Sequence, residues 1–310
     1  MPDSKQSLPA RSVYAAIATP RTASSIEGDA SALLEYLDAV VRAGVDGLVL
    51  FGSTGEFIHF DLAERMRLLI FAIRRSRVPV FVNVSHSTLA GAVELAEHAI
   101  EVRAAGILLM PPYFYQYGDS QLARFYEEFV RLLGGKIPVY LYNLPQFTNP
   151  ISAELAQLLL SSGAFAGIKD SSGDWDTFEI LNSLQPGRPF DLLIGNESIY
   201  LRARSAGAHG IVSGVAAALP ELLVAIDEAF RNSNAARAQR LDGLLKEFLT
   251  WLARFPTNVG IKETATIRGW KLDQFAVPLS DPITTELRAS RRWLEEWIPA
   301  ALTECGPTRS

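Results

Sequence analysis

One lysine follows a short apolar segment and could act as a nucleophile. Residues 165–173 read Phe-Ala-Gly-Ile-Lys-Asp-Ser-Ser-Gly, so Lys169 stands where the apolar run turns polar. An amine at the C-terminal end of a parallel strand lies where α/β proteins build active sites. Partial burial there favours the neutral amine, which can form a Schiff base with a ketone. The alternative interpretation is a solvated lysine near the start of a helix.

A loop rich in hydroxyls and glycines follows another apolar run. It reads Phe-Gly-Ser-Thr-Gly-Glu over residues 51–56. The hydroxyls of Ser53 and Thr54, with backbone amides at the flexible glycines, could surround a carboxylate. The loop lacks the lysine and the spacing of a P-loop, which disfavours a nucleotide site. A Gly-Ser turn that caps the next helix is the alternative.

Aromatic side chains mark two further turns. Residues 139–145 read Val-Tyr-Leu-Tyr-Asn-Leu-Pro, and Tyr142 could shuttle protons, although a core tyrosine with a bonded hydroxyl would fit the same pattern. Residues 110–117 read Met-Pro-Pro-Tyr-Phe-Tyr-Gln-Tyr. This aromatic loop, with Tyr113 and Tyr115, could cover a pocket or pack against another subunit.

Eight short apolar runs alternate with longer amphipathic segments along the chain. The runs are 13–18, 47–51, 80–84, 107–110, 139–142, 165–168, 192–194 and 210–213. Nearly continuous hydrophobicity is typical of parallel strands buried on both faces. In one intervening segment, Leu122, Phe125, Phe129 and Leu132 predict a single apolar helix face. The pattern predicts an α/β fold, a (β/α)₈ TIM barrel; a doubly wound open sheet is the alternative, but no glycine-rich nucleotide turn follows the first run.

The same reading divides the chain into three parts. We expect a flexible N-terminal segment over 1–12, the barrel over 13–230, and a helical extension packed on the barrel over 231–310. Helices are predicted in the extension at 235–254, 259–268 and 284–297. Lys262 repeats the Gly-Ile-Lys pattern there and is expected to be a surface or packing residue.

Composition excludes several classes of function. The 310 residues carry a net charge of −5 without a basic run, which argues against nucleic acid as a partner. Cys305 is the only cysteine, so no intramolecular disulfide can form, and a reducing cytoplasm is expected. The four histidines lack metal-ligand spacing, so no metal is predicted. No apolar run approaches ~20 residues, and no membrane segment is expected.

Taken together, these motifs resemble the N-acetylneuraminate lyase and dihydrodipicolinate synthase family of class I pyruvate aldolases. The resemblance covers residues 13 to about 279 and rests on Gly-Ser-Thr-Gly-Glu, Tyr-Asn-Leu-Pro and Gly-Ile-Lys-Asp, in that order, at the second, fifth and sixth predicted strands. It implies a (β/α)₈ barrel with a C-terminal helical extension. It also implies a homotetramer built as a dimer of dimers.

The resemblance assigns roles residue by residue. Lys169 falls on the Schiff-base lysine and Tyr142 on the proton-shuttling tyrosine. Gly52, Ser53 and Thr54 fall on the loop that binds the keto acid's carboxylate, and the two hydroxyls extend a relay toward Tyr142, which makes Thr54 a catalytic candidate.

Weaker matches complete the assignment. Gly195 and Val212 match backbone positions that line the pyruvyl pocket. The family often donates a loop tyrosine into the neighbouring subunit's relay, and its position aligns with Phe114 here. Tyr113 or Tyr115 could substitute for it.

The predicted function is a lyase that joins or separates pyruvate and an aldehyde through an imine on Lys169, with no other cofactor. A 2-keto-3-deoxy sugar acid is the expected substrate, because Phe147 stands where dihydrodipicolinate synthases carry an arginine. The alternatives are dihydrodipicolinate synthase itself, a dehydratase or hydratase-aldolase using the same imine, and a non-catalytic barrel that binds a keto acid. A pyridoxal phosphate enzyme would also use a lysine imine, but no phosphate-binding cup is apparent.

Overall fold

The computed structural model describes residues 13–23, 27–187 and 190–306. The predicted N-terminal segment 1–12 lies outside the described residues. Eight parallel strands follow one another in chain order around a closed barrel, with helices between them. The predicted (β/α)₈ barrel is therefore confirmed, and the open-sheet alternative is wrong.

The strands are short and almost entirely buried, which explains why each reads as a continuous apolar run. They are β1 Val13–Ala16, β2 Gly47–Leu50, β3 Val80–Asn83, β4 Gly106–Leu109, β5 Val139–Asn143, β6 Gly167–Asp170, β7 Asp191–Ile194 and β8 Gly210–Ser213. The apolar run 165–168 begins two residues before β6, and Lys169 lies near the C-terminal end of the strand as expected. Pairing with β5 and β7 extends β6 through Lys169 and Asp170, because ladder hydrogen bonds outweigh the poor strand propensity of charged residues.

Eleven α-helices occur in the described residues. They are α1 Ala30–Arg42, α2 Leu62–Arg75, α3 Leu89–Glu101, α4 Asp119–Leu133, α5 Ala153–Ser161, α6 Trp175–Leu184, α7 Tyr200–Ala206, α8 Pro220–Arg231, α9 Ala235–Leu252, α10 Val259–Ile267 and α11 Asp281–Cys305. Side-chain oxygens cap several N-termini; Asp61, for example, accepts the Glu64 amide of α2 at 2.7 Å. Among these helices, none is both long and apolar enough to cross a bilayer.

The apolar face of α4 differs from the predicted one. Leu122 and Phe129 are buried as expected, but Leu132 is 44% exposed, and the stripe continues through Tyr126 and Leu133. The prediction is therefore confirmed at Leu122 and Phe129 and wrong at Leu132, while Phe125 is half-buried. The Tyr126 hydroxyl donates to the Leu109 carbonyl at 3.3 Å, so this tyrosine is accommodated in the core.

The chain forms two compact units. One covers residues 79–212 and contains β3 to β7, most of β8, and the helices between them. The other covers the described residues of 13–78 and 213–306 and contains β1, β2 and the helices from α8 onward. The helices predicted at 235–254, 259–268 and 284–297 correspond to α9, α10 and α11, and α11 is longer than predicted at both ends.

Candidate active site

Lys169 is buried in the 79–212 unit and faces an aromatic ring. Its residue is 3% exposed, and its Cα is in register with those of Tyr142 on β5 and Leu193 on β7. Residues in register on parallel strands project to the same face. The Lys169 Nζ accordingly lies 4.0 Å from the centroid of the Tyr142 ring. The interpretation of Lys169 as a solvated surface lysine is wrong.

The backbone of Gly195 packs directly against the Lys169 side chain. Its amide donates to the Asp170 carbonyl at 2.6 Å, which draws the end of β7 onto β6. A Cβ at position 195 would lie 2.9 Å from the Lys169 Cε and 1.9 Å from the Ser171 Oγ. Only glycine fits this close approach.

Ser171 is a candidate site residue that sequence reasoning missed. Its Oγ is buried and has no hydrogen-bond partner among the described residues, and it faces the same point beside Gly195 as the Lys169 Cε. A buried hydroxyl left unpaired costs about 1–3 kcal/mol, so this oxygen is suited to a polar group of a bound ligand. The only signal in the sequence is the pair of serines that follows Lys-Asp.

A hydrogen-bonded network joins the strand ends next to Lys169 and Tyr142. The Asn143 Nδ2 donates to the Asp170 Oδ1 at 2.7 Å, and the Ser172 hydroxyl donates to Oδ2 at 2.7 Å. Successive strand residues alternate in direction, so Asn143 and Asp170 project away from the face that carries Tyr142 and Lys169. Burial raises the pKa of Asp170, while the hydrogen bonds from Ser172 and Asn143 oppose the shift.

Val212 is the remaining pocket candidate in this unit. It is buried in β8, the strand that pairs with β7 through Leu193↔Gly210 and Ile194↔Ile211.

The loop after β2 belongs to the other unit; we call residues 51–56 the β2 loop. Thr54 and Gly52 are buried, and Ser53 is half-buried. The loop is tightly fitted, since the Thr19 hydroxyl donates to the Gly55 carbonyl at 2.8 Å. The alternative of a turn that caps the next helix is wrong, because Asp61 caps α2.

Lys262, the second Gly-Ile-Lys lysine, is not at the surface. It is 0% exposed, and its Nζ donates to the Glu56 Oε2 at 2.5 Å and to the Gln274 carbonyl at 2.9 Å. Burial lowers the pKa of Lys262, and the neighbouring Glu56 carboxylate opposes that shift. Of the two alternatives expected for Lys262, a surface or a packing residue, the structure excludes the surface one. The sequence pattern could not decide between them, because the partner carboxylate lies 206 positions earlier in the chain.

The aromatic loop projects outward from the 79–212 unit. Phe114 is 86% exposed at φ 85°, Tyr115 is 65% exposed, and Tyr113 is half-buried. The buried Asn149 fastens this loop: its Nδ2 donates to the carbonyls of Pro112 at 2.6 Å and Tyr115 at 2.8 Å. Phe114 and Tyr115 thus offer an apolar surface in this chain.

Phe147 lies on the turn after β5 and is exposed. No cluster of three or more His, Cys, Asp or Glu side chains suited to a metal ion occurs in the part of the chain that the structure describes.

Comparison with known proteins places this arrangement in a family. The sequence model of the dihydrodipicolinate synthetase family matches residues 10–296. The chain belongs to this family. The resemblance drawn from the three motifs is therefore confirmed, and so is the prediction of a lyase, because the named relatives in the family are aldolases and synthases.

Two family members and one solved structure illustrate how similar this chain is to known proteins. The probable 2-dehydro-3-deoxy-D-pentonate aldolase YjhH of Escherichia coli is 33% identical over 222 residues, 69% of this chain and 72% of the relative. The 4-hydroxy-tetrahydrodipicolinate synthase of Methanococcoides burtonii is 28% identical, covering 83% and 88%. The crystal structure of Escherichia coli YagE in complex with pyruvate has a TM-score of 0.84 at 26% identity, covering 92% and 98%.

Proposed function

We propose that the protein is a pyruvate-dependent lyase in which Lys169 forms an imine with the ketone of a 2-oxo acid. The observation that carries this proposal is the buried Lys169 amine, 4.0 Å from the centroid of the Tyr142 ring on the neighbouring strand. Family membership supports it, as does the structural similarity to YagE, which was solved with pyruvate.

In the proposed mechanism the imine is the electron sink, and no other cofactor is needed. The neutral Lys169 amine attacks the ketone carbon, and the Tyr142 hydroxyl protonates the carbinolamine oxygen as water leaves. In the cleavage direction, a base removes the proton of the C4 hydroxyl, the C3–C4 bond breaks, and its electron pair passes into the imine. The resulting enamine is protonated at C3, and water then releases pyruvate from Lys169.

Other residues bind the keto acid. Following the family resemblance, we assign its carboxylate to Ser53, Thr54 and the amides that begin at Gly52, where developing charge would also be stabilised. We assign the lining of the pyruvyl group to Gly195 and Val212.

We infer that the second fragment comes from a 2-keto-3-deoxy sugar acid. The relative YjhH carries a name of that substrate class, and Phe147 supplies no cation at the position where the synthases carry an arginine. A side chain without charged donors cannot make the bidentate contact that a second carboxylate would require. The runner-up is the synthase reaction, which the relative from Methanococcoides burtonii supports.

We also propose a cytoplasmic homotetramer, built as a dimer of dimers in which the aromatic loop contributes to a subunit contact. The exposed Phe114 and Tyr115 side chains support this assembly, because contiguous exposed aromatics are typical of interfaces. A position at the interface would also allow Tyr113 or Tyr115 to serve the relay of a neighbouring subunit.

Trapping of the imine tests the proposal. The protein is incubated with pyruvate and borohydride, and the adduct is located by mass spectrometry of peptides. We expect one reduced pyruvyl adduct, on Lys169 and not on Lys262. The adduct disappears in Lys169→Ala and persists in Lys136→Ala, which removes an exposed lysine of the same unit. An adduct that survives in Lys169→Ala would overturn the assignment.

Two extensions of this experiment test the partner residue and the substrate. Tyr142→Phe retains the ring beside Lys169 and removes the hydroxyl, so the adduct should still form on Lys169 but roughly 10²–10⁴-fold more slowly. Pyruvate release from 2-keto-3-deoxy sugar acids is then compared with condensation of pyruvate and aspartate semialdehyde. Faster condensation would favour the synthase reaction over sugar-acid cleavage as the function of this protein.

A further inference from the structure

A buried cluster of charged side chains has no part in the proposed imine chemistry. It lies within the unit that contains the described residues of 13–78 and 213–306 and consists of Arg21, Glu56 and Lys262. The Glu56 Oε2 is 2.5 Å from the Lys262 Nζ and 3.7 Å from the Arg21 Nε. The Lys262 ammonium also lies 5.6 Å from the centroid of the Phe275 ring.

A buried ion pair of this kind is weak evidence of a contribution to stability. Removing charges from water is costly, and well-packed apolar residues often replace a buried ion pair without loss of stability. An ion pair nevertheless differs from an apolar contact because it defines where its two partners lie. Glu56 is the last residue of the β2 loop, so Lys262 defines the position of that loop's end.

The β2 loop needs such a restraint because its backbone is strained. Phe51 has φ 57° and Glu56 has φ 53°, so both ends of the loop are left-handed without glycine. Non-glycine residues in this region cost about 1–3 kcal/mol each and persist where surrounding contacts over-determine the conformation. Between these two ends lie the hydroxyls of Ser53 and Thr54.

Lys262 lies on α10, and the residue that precedes this helix contacts the β2 loop at a second point. Asn258 precedes α10 with φ 72°, and its Nδ2 donates to the Ser53 carbonyl at 2.9 Å. Its own carbonyl accepts the amide of Lys262 at 2.9 Å, so the two residues are joined by the first turn of α10. One helical turn therefore contacts the middle of the β2 loop through Asn258 and its end through Lys262.

We propose that Asn258 and Lys262 form a clamp by which the C-terminal helices position the β2 loop to bind the carboxylate of the 2-oxo acid. Lys262 is thus a positioning residue that acts through Glu56. The effect on substrate rests on the proposed function, whereas the effect on the loop does not.

The first experiment measures the loop itself. Amide hydrogen exchange is compared between wild type, Lys262→Met and the control Lys246→Met. Lys246 is exposed and pairs with the buried Asp242 at 2.6 Å on α9, so the control also removes a lysine–carboxylate contact. We expect exchange over residues 51–56 to rise at least about 10-fold in Lys262→Met and to stay unchanged in the control. Unchanged exchange over 51–56 in Lys262→Met overturns the inference.

Loss of the whole fold is separated from loss of the clamp by a second variant. Lys262→Met leaves the Glu56 carboxylate buried, so the double variant Lys262→Met/Glu56→Gln removes both charges of the pair. In the double variant, exchange should still rise over the β2 loop while β5 stays protected. Wild-type protection of the loop in this folded double variant counts against the clamp.

The second experiment connects the loop to substrate. The pyruvate concentration that gives half-maximal trapping on Lys169 should rise roughly 10- to 100-fold in the double variant and in Asn258→Gly. Trapping at saturating pyruvate should match wild type, because Lys169 is intact. A lower maximum with an unchanged half-maximal concentration would contradict a positioning role. If wild type traps no pyruvate but the loop loosens, the proposed function fails and the clamp stands.

Discussion

Gly195 leaves no space for a side chain beside the amine of Lys169. The nearest atoms to an added Cβ would be the Ser171 Oγ at 1.9 Å and the Lys169 Cε at 2.9 Å. Both atoms belong to β6 or to the residue that follows it. Because the Gly195 amide donates a hydrogen bond to the Asp170 carbonyl, the backbone at Gly195 cannot easily move away from β6. The position of the amine therefore depends on a residue that has no functional group of its own.

Gly195→Ala should damage both stability and imine formation. Overpacking is expected to lower the free energy of unfolding by about 1–3 kcal/mol, and displacement of Lys169 should slow adduct formation at least 10-fold. Urea denaturation and the rate of borohydride trapping measure the two effects.

A matched glycine and a compensating change sharpen this test. Gly243→Ala adds a methyl group in open space on α9, so it should raise stability by up to about 1 kcal/mol and leave trapping unchanged. Ser171→Gly removes the nearest atom and should restore part of the stability of Gly195→Ala. A wild-type rate of trapping in Gly195→Ala would show that close packing at Gly195 does not position the lysine.

At the scale of the element, β5 and β6 present different chemistry on their two faces. Tyr142 and Lys169 project to one face, and the neighbouring residues Asn143 and Asp170 join the strand ends on the other. The Asp170 carboxylate is buried, and desolvation raises its pKa above the ordinary value of 3.8. Its protonated form is therefore favoured by folding.

This shift predicts how stability depends on pH. A carboxyl whose pKa is raised in the folded state contributes stability that is present below the ordinary pKa and is lost as pH rises through the folded value. The stability of wild type minus that of Asp170→Asn should accordingly fall as pH rises from below about 4, and then level off. Urea denaturation at each pH measures this difference.

Asp174, in the segment that follows β6, provides a control because its pKa is shifted in the opposite direction to that of Asp170. The hydrogen bond from the Thr177 hydroxyl lowers the pKa of Asp174, so its contribution is present above the ordinary value and is lost as pH falls. The difference between wild type and Asp174→Asn should fall toward acid pH. Equal slopes for the two variants would contradict the assignment of Asp170.

At the scale of the whole molecule, the exposed aromatic loop governs the proposed assembly. Asn149 holds the loop in one conformation, which lowers the entropy cost of burying Phe114 and Tyr115 in a subunit contact. The double variant Phe114→Ser/Tyr115→Ser should therefore shift the sedimentation coefficient toward smaller species at the same protein concentration.

The control for this experiment removes an exposed apolar residue elsewhere. Val277→Ser, in the other unit, should sediment like wild type. A monomeric wild type, or a double variant that retains the mass of wild type, would refute the role of the aromatic loop in assembly.

The sequence by itself determined the barrel and its leading catalytic candidate. Strands buried on both faces must be apolar throughout, so eight such runs marked the strands, and Lys169 stood out as the lysine at the end of one. The helical periodicity of α4 was recovered only in part, because the pattern does not reveal that the Tyr126 hydroxyl finds a carbonyl partner inside the core.

Only the tertiary structure decided which residues surround these groups. Two Gly-Ile-Lys segments are alike in sequence, yet Lys169 faces the Tyr142 ring, whereas Lys262 forms an ion pair with Glu56. The exclusion of a side chain at Gly195 likewise depends on atoms of another strand. The physical reason is that periodicity records how far each residue is buried, whereas the partner that compensates a buried polar group is set by folding over long separations in the chain.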